Sequence, residues 1–271
     1  MILFCLLTSV MGADCARAQE KASEKNMEVP KVYMFTKISA ENLVKISEAL
    51  GREATGKVAV KLSTGEPGGH NFLQPALIKD LVKKVNGTIV ECNTAYGGGR
   101  ADTENHLKAA KEHGFTAIAP VDIMDADGEV ALPVKGGKHL KEDFVGSHYL
   151  NYDFTIILSH FKGHAMGGFG GAIKNMSIGI ASSEGKAWIH SAGKTKGDPW
   201  GNLPPQDDFL ESMAEAAKAR GVAAVHCQTA EEVLQYVRQF VRPGDAVLVK
   251  ASHSMGLEQL LQEYYKELPQ G

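Results

Sequence analysis

Apolar and polar positions along this chain follow two periods that alternate with one another. Residues 57–62 (KVAVKL) switch at a period of two, the signature of a strand. A turn-rich stretch at 63–70 (STGEPGGH) comes next. Ala76, Leu77, Leu81, Val82 and Val85 then recur at helical spacing, with Pro75 in a tolerated first-turn position. The same succession of strand, glycine-rich loop and helix returns at 88–92 (TIVEC), at 93–100 and after Asp102, a residue suited to cap a helix that Gly114 can end. Residues 117–121 (AIAPV) are a further strand candidate, and 125–129 (DADGE) read as a hairpin turn. A third unit comprises the apolar strand 154–158 (FTIIL), the loop 159–171 and a helix beginning near Ala172. Three such units predict an α/β fold, a mostly parallel sheet with flanking helices. All three loops are expected at the carboxyl edge of the sheet, where open α/β folds place ligands.

The texture changes near Gly221. A strand at 222–225, a helix opened by a capping box at Thr229 and Glu232, a strand at 246–250 and a helix from about Met255 predict a small C-terminal β-α-β-α piece. At the other end, residues 1–11 form an apolar run of signal-peptide length, and Ala16-Arg17-Ala18 before Gln19 fits the small-x-small cleavage pattern. The expected plan is a signal peptide at 1–18, a linker at 19–29, an α/β domain at 30–219 and a C-terminal fragment at 220–271. A working signal would make the protein periplasmic or secreted; without one it would be cytoplasmic. No span of membrane length is expected in the mature chain.

Composition narrows the classes. With 44% hydrophobic and 23% charged residues the chain has the makeup of a globular protein, and a net charge of −3 argues against broad nucleic-acid binding. The cysteines, Cys5, Cys15, Cys92 and Cys227, form no C-x-x-C pair, so neither a zinc knuckle nor a cysteine-ligated iron–sulfur cluster is expected. Cys92 reads as a buried small hydrophobe.

Chemistry concentrates in the third loop. Gly163, Gly167, Gly168, Gly170 and Gly171 let backbone N–H groups approach a ligand, and the N-terminus of the next helix adds partial positive charge. Lys162 and Lys174 supply full charges; His160, His164 and Asn175 complete a candidate pocket for a small-molecule anion or cofactor. His70 and Asn93, from the other two loops, are expected to line it. A metal reading takes His160 and His164 with His70, Glu91 or Asn93 as the remaining ligands, through loop geometry alone. In a third reading the glycines only allow tight packing. Lys61 could face crevice or solvent, and His190 has no visible partner. No phosphate loop of the G-x-x-x-x-G-K-[ST] type and no G-x-S-x-G elbow occurs. Residues 125–129 lack the outer ligands of a calcium loop.

Several strings occur together in order: KVAVKL with GEPG at 65–68, YGGGR at 96–100, LPVKGGKH at 132–139, SHFKGHAMGGFGGAIKN at 159–175 and GKAWIH at 185–190. Over 30–219 the chain resembles bacterial members of the domain-of-unknown-function family 362. The resemblance implies an α/β domain without an established reaction. Some relatives carry a ferredoxin-like cysteine segment, hence a redox association, but this chain lacks those cysteines. It also implies a domain shortened at its C-terminus. From about residue 213 onward, RPGDAVLVKAS at 242–252 and SMGLE at 254–258 resemble the end of the ligase that adds D-alanyl-D-alanine to UDP-muramoyl tripeptide. The ATP loop and central domain of that enzyme are not present, so this resemblance implies origin, a chain from two sources, and not activity. The function expected is binding of an anionic small molecule or cofactor, with no catalytic residue assigned. The alternatives are a non-catalytic scaffold and an inactive ligase fragment.

Overall fold

A computed structural model describes residues 33–221 and 229–240, together with 262, 264 and 266. The expected leader, the linker, both C-terminal strands and most of the last helix lie outside these residues. In chain order the elements are α1 (Ala40–Ala49), β1 (Val58–Lys61), α2 (Pro75–Lys84), β2 (Thr88–Glu91), α3 (Thr103–Glu112) and β3 (Val121–Ile123). Then come β4 (Glu129–Pro133), β5 (Glu142–Gly146), β6 (Phe154–Ile157), β7 (Lys162–His164), β8 (Gly168–Gly170), α4 (Ala172–Ile180), α5 (Ser183–His190), α6 (Gln206–Ala219) and α7 (Ala230–Phe240).

Strands β3-β2-β1-β6, in that spatial order, form one all-parallel sheet. The period-two pattern divides the strands between two cores. Val58, Val60 and Leu62, with Ile89, Phe154, Ile156 and Leu158, pack on Leu43 of α1 and on Ile78, Leu81 and Val82 of α2. The intervening residues Ala59, Val90, Cys92 and Ile157 pack on Met176 and Ile180 of α4 and on Ala214 and Ala217 of α6. Helices thus cover both faces, and β1 and β6 are buried along their whole length. The local signals act as expected. Asp102 accepts from the Asn105 N–H at 3.0 Å to start α3, and Gly114 follows it with φ +86°. Pro75 opens α2, and the Thr229 hydroxyl accepts from the Glu232 N–H at 3.1 Å to start α7.

Three sequence expectations are corrected. Residues 117–121 are not a strand: a 3-10 turn covers Phe115–Ala117, and β3 begins at Val121. Pro120 has no N–H to give the ladder; its carbonyl instead accepts from Ile89 at 2.9 Å, setting the register of β3 against β2. Residues 125–129 do turn, with the Gly128 N–H 3.3 Å from the Asp125 carbonyl, but they join β3 to β4, which pairs antiparallel with the later β5 and not with β3. The loop 160–171 contains a small hairpin, β7–β8, closed over 165–167 with Gly168 at φ +62°. Among the described residues no helix is long and apolar enough to cross a membrane.

The connectivity decides where a ligand can sit. From β1 the chain moves outward to β2 and β3, then returns to β6 on the other side of β1. The loops after β1 and β6 therefore part in opposite directions and leave a crevice between the two carboxyl ends.

Candidate functional site

A cavity of about 630 Å³ opens at that crevice. From the strand ends come Lys61 and Glu91, and from the loops after them Glu66, Tyr96 and Arg100. The third loop and its hairpin bring His160, Lys162 and His164; the first turn of α4 brings Lys174 and Asn175, after Gly170 and Gly171. Helix α5 adds Lys186 and His190 on one face, four residues apart. A second hollow of about 410 Å³ shares Ala95, Tyr96 and Trp200 with the first.

Charge is unevenly divided. Four lysines and one arginine line the cavity against two glutamates. Those glutamates are already occupied. Glu91 accepts from the Thr64 N–H and from Arg100 at 3.1 Å, with His106 Nε2 at 3.2 Å, and Glu66 pairs with Arg100 and with the Tyr96 hydroxyl. Burial raises the Glu91 carboxyl, but Lys61, His106 and Arg100 outweigh it and hold it well below the usual range. The surplus positive charge is left to the lysines. Lys61 is 2% exposed, and its ammonium donates to the Leu62 carbonyl at 2.7 Å and to Asn175 Oδ1 at 3.0 Å. Burial lowers it to about 8 despite Glu91. The Lys186 ammonium donates to the Ala181 carbonyl at 2.6 Å and is likewise lowered by burial. Lys174 is lowered to about 8, first by burial and then by Lys162, Lys186 and Lys61. Among the described residues no carboxylate pairs with it. Buried like charges repel, and a negative guest removes that repulsion.

The two imidazoles are fixed in opposite tautomers. His164 Nδ1 accepts from the Gly167 N–H at 3.0 Å, so its proton sits on Nε2. His190 Nδ1 faces the Lys186 carbonyl at 2.7 Å and must donate, which leaves the lone pair on Nε2. Burial, then Lys174 and Lys162, lowers His164 to about 4; burial lowers His190 to about 4 against the Lys186 carbonyl. Both rings are neutral near pH 7. The His190 ring is held by stacking on Phe209 at 5.1 Å between centroids.

Of the residues expected from the sequence, His160, Lys162, His164, Gly170, Gly171, Lys174, Asn175 and Glu91 line the cavity. Gly163, Gly167 and Gly168 shape the hairpin without lining it. His70 is exposed and outside the lining. Asn93 turns away, donating to Thr103 Oγ1 at 3.0 Å and meeting His106 Nδ1 at 3.2 Å. For a metal, no three of His70, Glu91, His160 and His164 bring ligand atoms together. The group that does so among the described residues is His139, Asp208 and Glu211, none of which lines the cavity. Its Glu211 is engaged by Lys138 at 2.8 Å and His139 at 2.6 Å. Sequence reasoning left Lys61 and His190 undecided and did not single out Lys186 or Arg100. The i,i+4 spacing of Lys186 and His190 was the available signal.

A family model described as Domain of unknown function (DUF362) matches residues 58–253. The match runs past residue 220 and takes in α7. No curated protein matches. Among solved structures, the lactate racemase apoprotein from Thermoanaerobacterium thermosaccharolyticum is similar at 17% identity and a TM-score of 0.44, over 73% of this chain and 54% of that one. The chain therefore spans about half the length of that structure.

Proposed function

Since this chain belongs to the DUF362 family, whose description assigns no reaction, we propose a function from the site itself: the domain binds a small organic or inorganic anion in the crevice between the ends of β1 and β6. The observation that carries this reading is a lysine cluster, buried in part, whose positive charge the glutamates of the cavity do not cancel. Cavities of about 300–1,000 Å³ suit small ligands, and this one falls in that range. Hairpin β7–β8 supports Lys162 and His164 at the mouth, while Gly170, Gly171 and the first turn of α4 form one wall.

Thermal denaturation with a panel of sulfate, inorganic phosphate, pyrophosphate and citrate tests the proposal. At least one anion is expected to raise the Tm. At a hundredfold excess over Kd the gain is about 2.7 kcal/mol. Lys162→Ala and Lys174→Ala are expected to reduce it. A Tm that no anion moves would leave the glycine loop a packing device and the domain a scaffold. For residues 220–271 the ligase resemblance enters as a proposal about origin alone. Amplification across codons 200–230 from source DNA tests whether the junction is an artefact of assembly or a genuine fusion; one intact product of this sequence would remove the artefact reading.

A further inference from the structure

The three lysines that line the cavity from β1, α4 and α5 are not equivalent. The ammonium groups of Lys61 and Lys186 are tied to main-chain carbonyls at 2.7 and 2.6 Å, and Lys61 is held in addition by Asn175. Their positions are fixed. Lys174 lies in the first turn of α4, and no hydrogen bond or ion pair among the described residues occupies its Nζ. Lys162, on β7, is exposed to solvent. A mostly buried amine beside fixed cations is the arrangement that activates a lysine as a nucleophile, because both desolvation and like charge favour the neutral, lone-pair form. Burial first, and then Lys162, Lys186 and Lys61, lowers Lys174 to about 8.

Resting on the anion-pocket reading, we infer that Lys174 forms a covalent imine with a 2-oxo acid whose carboxylate is held by the fixed ammoniums of Lys61 and Lys186. In such a ligand the reactive carbonyl is the carbon next to the carboxylate, so anchoring one presents the other to an unfixed side chain in the same cavity. The step balances without an oxidant. The neutral Nζ adds its electron pair to the carbonyl carbon and the C–N bond forms. The carbonyl oxygen gains one proton from Nζ and one from solvent and leaves as water, and a protonated imine remains. A base is needed to carry the proton from Nζ to that oxygen. His190 presents its Nε2 lone pair on a ring held by Lys186 and Phe209, and it lines the same cavity. A ligand carbonyl without an anionic neighbour lacks the anchor and gains nothing from the site.

The test incubates the full chain with pyruvate or 2-oxoglutarate and sodium borohydride, which delivers hydride to an imine carbon and fixes it as a secondary amine. Intact-mass measurement and peptide mapping locate the product. One adduct per chain is expected, on the peptide that carries Lys174, with acetone giving at least tenfold less. The rate of trapping is expected to rise as pH approaches about 8, where Lys174 loses its proton, and to fall above it, where Lys61 loses the charge that anchors the carboxylate. Lys174→Arg keeps a positive charge but cannot form the imine, and its adduct is expected to disappear while its circular dichroism stays that of the parent chain. Labelling spread over surface lysines, equal labelling by acetone, or no labelling by either oxo acid would overturn the inference. If sulfate or phosphate still raises the Tm of the parent chain, the failure is of imine formation alone. If no anion does so, the anion pocket fails with it.

Discussion

At the residue scale, the cavity is governed by how close a few side chains can approach. Gly179 on α4 illustrates this. A Cβ there would lie 2.6 Å from Asn175 Oδ1 and 3.0 Å from the Lys61 ammonium, so the absence of a side chain lets Lys61 cross under the helix. Gly179→Ala should strengthen α4 by about 0.8–1 kcal/mol of intrinsic propensity while pushing Asn175 off Lys61. The expected outcome is a folded protein whose sulfate affinity, read by calorimetry, falls about tenfold, or about 1.4 kcal/mol. Unchanged affinity would mean that Lys61 does not contribute. Legibility at this scale depended on where each residue stood. Lys162, His164 and Lys174 could be read from the sequence because glycines around a loop leave little else for them to do. Lys61 and Lys186 could not, because the side a strand or helix residue faces depends on which neighbour covers it. Asn93 was misplaced for the converse reason: its loop lies at the correct edge, but His106 and Thr103 satisfy its amide.

At the element scale, the sheet carries the loops, and a buried ion pair holds the layer that faces them. Arg220, just beyond α6, is completely buried; it donates to Asp143 of β5 through two bonds of 2.7 Å and to the carbonyls of Met176 and Ser177 in α4. Burial pushes the Asp143 carboxyl up, and Arg220 opposes it. The pair therefore joins three elements at one point, and losing either partner strands the other without water. Arg220→Met is expected to cost about 3–5 kcal/mol in urea denaturation. The double variant with Asp143→Leu should recover part of that loss, because it removes both charges together. A double variant no more stable than Arg220→Met would show that the carbonyl bonds, and not the ion pair, carry the stability. Helices α2, α3 and α7 were legible through caps and period, and α4 as the element after the glycine loop; α1, α5 and α6 were not read. Strands β4 and β5 were not, because the pairing of Val130 with Val145 closes over a connection whose length no local turn signal announces.

At the scale of the whole molecule, pH acts on the site and on the fold through different groups. His164 and His190 lie near 4 in the folded chain and near 6.5 when free, so between those values the unfolded chain holds more protons. Their contribution to stability is complete above about 6.5 and is lost progressively as pH falls toward 4. The urea midpoint should decline over that window, and the pair of changes His164→Gln and His190→Gln should flatten the decline. An identical decline in the double variant would contradict the burial of both rings in neutral form. Anion binding should respond at the other end of the scale. Lys61 and Lys174 lose their protons near 8, so stabilisation by sulfate, whose own charge is constant there, should weaken as pH rises through that value. A sulfate effect indifferent to pH as it is raised well past that value would remove these lysines from the site.

The amino-acid sequence alone determined the alternation of strands and helices, the caps and the glycine loop, because each depends on residues within a turn or two of one another. It also placed three loops at one edge, since parallel strands joined by helices have no other arrangement. What only the tertiary structure decided was the order β3-β2-β1-β6, and with it the crevice, because that order is set by which apolar faces find each other across the chain. The same contacts turned Lys61, Lys186 and His190 inward and left His70 outside. Burial and the charge of distant neighbours, not the residue types themselves, made this lysine cluster a site.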